Sequence, residues 1–414
     1  MSAPSPVPPP ATLPVDLAAV AAARARIKDR IRLTPCPVSE AFSKVVGGEL
    51  HLKLDNLQVT GSFKERGALH KLLLLTPEER RRGVICASAG NHAQGVSHHA
   101  GRLGIPATIV MPEASPLIKV TGVKAHGATV VLHGANFDEA LAEAKRRCEA
   151  EGLVFIHPFD DAAVIAGQGT LGLEILEQVP AVDTLLVPVG GGGLIGGIAA
   201  AVKALKPEVR VVGVEASVLP KMRAALDAGG PVTLEPARTI ADGIAVRRAG
   251  DLTYALVSRL VDEMVVCDDE ETSHAILQLL EREKLVAEGA GAIALAAALH
   301  AKVDLRGRCA VALVCGGNID VTLVSRIIER GLVKDGRLVR LAVTVPDRPG
   351  ELARLTGVVA RAKANVVEIH HNRAFSQGSL GETLIELVLE TRGHAHIDEL
   401  VGALEAEGSF VRRG

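Results

Sequence analysis

From about Asp16 onward, short runs of Val, Ile, Leu and Ala alternate with stretches whose apolar residues recur at helical spacing. Glu49–Leu54, Val84–Ala87, Ala107–Val110, Thr129–Leu132, Val154–His157, Leu185–Val189, Val209–Glu215 and Cys309–Cys315 read as strands. Several are almost continuously apolar, as parallel strands covered by helices on both faces must be. Asn91–Leu103, Asn136–Ala150, Leu194–Leu205 and Glu270–Glu283 carry the helical period between them. The pattern predicts an α/β protein built on open twisted sheets. The order then changes. Gly331–Gly336, GLVKDG, reads as a linker, and a second pattern follows. Leu338–Val345 is a strand, Gly350–Ala362 a helix, Asn365–Asn372 and Glu382–Leu389 strands, Ile397–Ala406 a helix and Phe410–Arg413 a last strand. That order, βαββαβ, is a ferredoxin-like unit. Three regions result: a disordered Pro-rich arm over 1–14, a central region over 15–335 with a smaller subdomain inserted at about 84–153, and a terminal domain over 336–414.

Composition narrows the function classes. The 414 residues carry a formal charge of −2, with 48% hydrophobic and 2% aromatic residues. Near-neutral charge argues against a nucleic-acid binder working through a basic surface, and the lack of aromatic residues argues against stacking platforms. Six scattered cysteines, none in a CxxC pair, suggest neither a disulfide scaffold nor a thiolate zinc site, and we expect no metal. A reducing, cytoplasmic setting fits best. Leu185–Val202 is uncharged over 18 residues, but six glycines and Pro188 within it give a strand, loop and helix rather than a membrane span.

Three stretches could do chemistry. Val189–Gly197, VGGGGLIGG, joins a strand to a helix. Consecutive glycines let backbone approach an anion, and the following helix aims free N–H groups and its positive end at it. The alternative is a tight turn with no ligand. Gly191–Gly196 also fits GxGxxG, and Glu215 ends the next strand, which together spell a dinucleotide fingerprint. In Thr60–Ala68, TGSFKERGA, Lys64 follows an aromatic residue and opens a helix with a small-residue face. It is either a solvated surface lysine or a shielded amine able to form an imine with an aldehyde. Ser88–His92, SAGNH, follows a strand and serves either as a helix cap or as a ring of N–H donors for a carboxylate. Cys315–Asn318 follows another strand. Loops at the carboxyl ends of several parallel strands point to one crevice.

Taken in order, SFKERGA, SAGNHAQG, the tetraglycine loop, TIADGIAV (Thr239–Val246) and CGGNID (Cys315–Asp320) resemble the fold-type-II pyridoxal-phosphate enzymes, and among them the threonine dehydratases, or threonine ammonia-lyases. The likeness covers about 15–335 and assigns the glycine loop to a cofactor phosphate. It implies the two-sheet, tryptophan synthase β-like architecture and pyridoxal 5'-phosphate as cofactor. Lys64 would be the Schiff-base lysine. Phe63 and Asn91 would contact the pyridine ring and its 3-hydroxyl, Gly190, Gly191, Gly192, Gly193 and Leu194 would hold the phosphate, and Cys315 would face the ring nitrogen. Ser88, Ala89, Gly90, Asn91 and His92 would bind the substrate carboxylate. Racemizing relatives carry a serine where this chain has Ala89, so racemization is disfavoured.

The tail resembles an ACT regulatory domain. Asp347, Pro349, Gly350 and Leu352 at its first strand-to-helix turn would bind an amino-acid effector, and ACT pairing implies a homodimer or homotetramer. The implied reaction converts L-threonine to 2-oxobutanoate and ammonia, with L-serine to pyruvate as a side activity, in isoleucine biosynthesis or threonine catabolism. Serine and hydroxyaspartate ammonia-lyases are the near alternatives. A nicotinamide-dependent dehydrogenase and a non-catalytic amino-acid sensor are the remote ones.

Overall fold

The computed structural model describes residues 12–372 and 381–413, so most of the Pro-rich arm lies outside the described residues. The chain forms two compact units, Met1–Ile319 and Asp320–Gly414.

Among the described residues, nine strands build the first unit: β1 (Glu49–Leu54), β2 (Val84–Ala87), β3 (Ala107–Met111), β4 (Thr129–Leu132), β5 (Val154–Phe155), β6 (Thr184–Pro188), β7 (Arg210–Ala216), β8 (Glu263–Cys267) and β9 (Cys309–Val314). They make a five-stranded sheet in the order β1-β9-β6-β7-β8 and a four-stranded sheet in the order β4-β3-β2-β5. Every pairing is parallel. All five residues of β6 are buried, which is why its sequence is apolar without alternation. The helix Gly289–Leu299, buried through Ala298, packs on β9, β6 and β7 with mostly small residues around Ile293 and Leu295.

The second unit has β10 (Leu338–Pro346), β11 (Asn365–Asn372), β12 (Glu382–Glu390) and β13 (Phe410–Arg413) in the antiparallel order β11-β12-β10-β13. The helices Glu351–Arg361 and His394–Ala406 complete the βαββαβ order. Alternate residues of β10 are buried, and Leu341, Val343 and Val345 meet Leu355, Ile385, Leu400 and Leu404 in one core.

The structure departs from the sequence reading at four places. β8 is absent from the predicted set: it is a five-residue edge strand, only two of its residues buried, set among acidic residues. The strand predicted over Val154–His157 stops at Phe155, because His157 turns its Nδ1 to accept from the N–H groups of Phe159 and Asp160. The helix predicted over Glu270–Glu283 is α-helical only through Gln278. A π-turn over Leu279–Glu283 follows, closed by Lys284 in the left-handed region at φ 59°. The stretch Gly331–Gly336 is not a linker. It holds the last turn of the helix Val321–Lys334, which Asp320 caps, and Gly331 is tolerated inside it.

Candidate active site

Parallel strands expose unpaired ends where they enter loops, and four loops at carboxyl ends of strands carry the predicted chemistry. After β1, the chain passes the short turn Asp55–Leu57 and Gly61, at φ 75°, to start the helix Lys64–Leu74. The loop after β9 is stitched to that start: Ser62 bridges Gly316, the Phe63 N–H donates to the Cys315 carbonyl at 3.0 Å, and the Gly317 N–H donates to the Gly61 carbonyl at 2.9 Å. Lys64 and Cys315 are thereby fixed as neighbours.

Lys64 Nζ donates to the Pro158 carbonyl at 3.0 Å and lies 5.1 Å from the centre of the Phe63 ring. Burial pushes its ammonium down to about 8, against the pull of Cys315 and Glu288. Cys315 is 2% exposed, and its thiol faces the Ala290 carbonyl at 3.5 Å. Burial drives that thiol well above its ordinary range, so it stays protonated.

Asn91 opens the helix Asn91–Leu103 after β2. Its Nδ2 donates to Glu288 Oε1 at 2.5 Å, and its Oδ1 accepts from Asn318 Nδ2 at 2.7 Å. Asn318 also donates to the Thr60 carbonyl at 2.8 Å. Glu288, 5% exposed, has its carboxyl raised to about 7 by burial and by Asp242, with the Asn91 bond opposing. Sequence reasoning missed Glu288. The signal available was a lone glutamate immediately before the uncharged apolar run Gly289–Leu299.

Around Ser88–His92 the structure narrows the expectation. The Ser88 N–H donates to the Val110 carbonyl at 3.1 Å and the Gly90 N–H to Ser88 Oγ at 3.1 Å. Donors for a carboxylate are therefore the N–H groups of Ala89, Asn91 and His92, the last two in a first helical turn with no partner four residues back. The His92 ring does not take part: its Nε2 sits 2.8 Å from the Ile156 carbonyl, and burial pushes its pKa down to about 3.

The glycine loop follows β6 into the helix Gly193–Leu205. Gly192 lies at φ 99°, and a Cβ there would stand 2.6 Å from Met222 Cε and 2.8 Å from Thr253 Cβ. A Cβ on Gly191 would strike the Phe159 ring at 2.3 Å. Only bare backbone fits, and the first helical turn leaves its N–H groups to an anion. The segment Pro158–Asp160, also missed in the sequence, ties the loop to the lysine. Pro158 receives Lys64, and Asp160 caps the helix Asp251–Leu260, whose Thr253 Oγ1 donates to the Gly191 carbonyl at 2.6 Å. The dinucleotide reading loses its acidic partner here. Glu215 is fully buried and accepts from the N–H groups of Met222 and Arg223 at 2.8 and 2.9 Å.

A half-buried amine of lowered pKa, a side-chain-free anion loop and a protonated thiol at one sheet edge form a donor set that fits pyridoxal phosphate. Residues 27–316 match the family model of the pyridoxal-phosphate-dependent enzymes. The chain belongs to that family. Pyridoxal phosphate is accordingly its cofactor, and residues 339–408 match the ACT domain. The chain is 50% identical to an L-threonine ammonia-lyase of Thermotoga maritima over 94% of this chain and 97% of the relative. It is 46% identical to a catabolic L-threonine dehydratase of Escherichia coli K12 over 76% of this chain and 96% of the relative. Among solved structures, threonine deaminase isoform 2 of Solanum lycopersicum, in its processed form, matches with a TM-score of 0.73 and 36% identity, covering 79% of this chain and 93% of that one. No described helix is long and apolar enough to cross a membrane, and all six cysteines are free thiols.

Proposed function

We propose that this chain deaminates L-threonine to 2-oxobutanoate and ammonia, with L-serine to pyruvate as a slower side reaction. The observation that carries the reading is Lys64: a half-buried amine, its pKa pulled down to about 8, beside Cys315 and the Asn91–Glu288 pair. Naming of the similar relatives as threonine ammonia-lyase and threonine dehydratase supports threonine as the substrate.

Bound pyridoxal phosphate supplies an electron sink for the charge left when the substrate Cα loses its proton. The protein's own groups do the rest. Gly190, Gly191, Gly192, Gly193 and Leu194 would hold the phosphate, and Lys64 would hold the aldehyde end. Phe63 and Asn91 bound the ring. The N–H groups of Ala89, Asn91 and His92 orient the substrate carboxylate. The free Lys64 amine would take the Cα proton, and an amine poised near neutral pH suits that transfer. Cys315 would face the ring nitrogen with a neutral thiol, and the β-hydroxyl would leave as water, the proton delivered to its oxygen balancing the one taken from Cα. The released enamine hydrolyses in water to the keto acid and ammonia.

In the second unit, Gly350 at φ 100° opens the helix Glu351–Arg361, and Arg348 and Arg354 both pair with Glu351 at 2.9 Å. This braced turn supports an amino-acid effector site at Asp347, Pro349, Gly350 and Leu352. ACT pairing supports a homodimer or homotetramer, and free thiols support a cytoplasmic setting.

One assay tests the reading: keto-acid release from threonine, serine and hydroxyaspartate by the same preparation. Threonine should give the highest kcat/KM, and D-serine should not form from L-serine, since Ala89 offers no second-face proton. One methyl in an apolar pocket is worth only about 1–3 kcal/mol, so serine should follow within two orders of magnitude. Faster turnover of hydroxyaspartate than of threonine would overturn the substrate assignment.

A further inference from the structure

Lys221 is a fully buried lysine that the reaction does not use. It starts the helix Lys221–Ala228, and its Nζ donates to the Val189 carbonyl at 2.7 Å and the Ile244 carbonyl at 3.1 Å. Glu215 Oε1, itself fully buried, stands 3.3 Å away. A charge taken out of water is costly unless oxygens replace its hydration, and here two carbonyls and a carboxylate do so.

The positions of those carbonyls matter. Val189 is the residue before Gly190, and a Cβ on Gly190 would stand 3.4 Å from Ile244 Cα. The next residue, Met222, puts its Cε 2.6 Å from where a Cβ on Gly192 would be. Glu215 in turn fixes Met222 through its N–H. Lys221 and Met222 together thus define the entrance and the floor of the glycine loop.

We propose that the Lys221 ammonium is a built-in cation that pins the Val189 and Ile244 carbonyls and so presets the glycine loop for the cofactor phosphate, making Lys221 a positioning residue for the cofactor. The inference rests on the reading that Gly190–Leu194 hold that phosphate. A lysine that merely balanced Glu215 would be dispensable once both charges were removed at constant volume. One that organises carbonyls would not.

The test is cofactor affinity, read by absorbance titration of cofactor-stripped enzyme with pyridoxal phosphate. The double variant Lys221→Met/Glu215→Gln keeps volume and leaves no lone charge. It should stay folded, with a melting temperature lowered by the two carbonyls left without a donor, and bind pyridoxal phosphate at least tenfold more weakly. In Lys221→Ala, the space left among the oxygens should accept a small cation, so potassium or ammonium chloride should restore affinity where choline chloride does not, while wild type responds to none of them. Affinity of the double variant within twofold of wild type would overturn the proposal. So would the absence of cation-specific rescue, or a double variant that does not fold, which would place Lys221 in the core's service alone. Failure of the underlying reading looks different: wild type would then bind pyridoxal, which lacks the phosphate, as tightly as pyridoxal phosphate.

Discussion

Lys53 and Lys221 are fully buried in this fold and Lys64 is half-buried, and the three differ in what replaces their water. Lys53 donates to Thr34 O, Glu174 and Gln178 within 2.9 Å, and Lys221 has two carbonyls and Glu215. Lys64 has a single carbonyl, that of Pro158, so its amine is the one left to react. A neutral amine attacks an aldehyde and an ammonium does not. With its pKa pulled down to about 8, Lys64 should therefore combine with added pyridoxal phosphate at a rate that rises with pH up to about 8 and then levels. Stopped-flow absorbance of cofactor-stripped enzyme measures this, and a rise continuing to pH 10 would mean an ordinary exposed lysine. Gly192 gives a second residue-scale prediction. Gly192→Ala combines a left-handed φ, worth about 1–2 kcal/mol, with overpacking against Met222 and Thr253, worth about 1–3 kcal/mol. Its unfolding midpoint in urea should fall accordingly, with cofactor retained poorly on gel filtration. At this scale the sequence showed Lys64 and the glycines, because residue type and order carry them. Lys221 was hidden, because nothing local marks a charge that tertiary packing will bury, and Glu288 left only the faint mark of a glutamate directly before an apolar run.

The helix Lys64–Leu74 owes its placement to charges, which sequence periodicity would have assigned to a solvated face. Arg66, 1% exposed, donates to Asp55 at 2.7 and 2.9 Å and to Glu174 at 2.5 and 2.9 Å, while Lys53 reaches Glu174 at 2.7 Å. The network joins that helix to the turn Asp55–Leu57 and to the helix Ala162–Gln178, whose burial extends to Ile175. Breaking one partner of a buried network leaves an uncompensated charge and costs about 3–5 kcal/mol. Arg66→Met should lose about that much stability in urea titration, and a loss below 1 kcal/mol would show the network to be idle. Strand positions were legible because both faces of each central strand are covered and the letters say so. β8 was not, since an edge strand with a half-exposed face and acidic flanks gives a weak apolar signal. The π-turn at Leu279–Glu283 escaped for a related reason: its residues keep the helical period while the backbone departs from it.

Across the whole molecule, the catalytic chemistry lies in Met1–Ile319 and the ACT fold in Asp320–Gly414. The Escherichia coli relative matches over 96% of its own length yet only 76% of this chain, so a protein of this family exists without the added unit. A chain ending at Ile319 should keep its cofactor absorbance and threonine turnover within a few-fold and lose any response to amino-acid effectors. Loss of all turnover would show that the second unit supports the first. The division into two patterns was plain in the sequence, but the boundary was not. An amphipathic helix, Val321–Lys334, precedes the first ACT strand and reads locally like the end of the catalytic region.

The chemistry of this site turns on which nitrogen carries the cofactor. Borohydride reduction of the holoenzyme, followed by proteolysis and mass spectrometry, reads this directly. The pyridoxyl mass should fall on the peptide containing Lys64 and on no other. Its appearance on Lys53, on Lys221 or on no lysine would contradict the assignment of the active site.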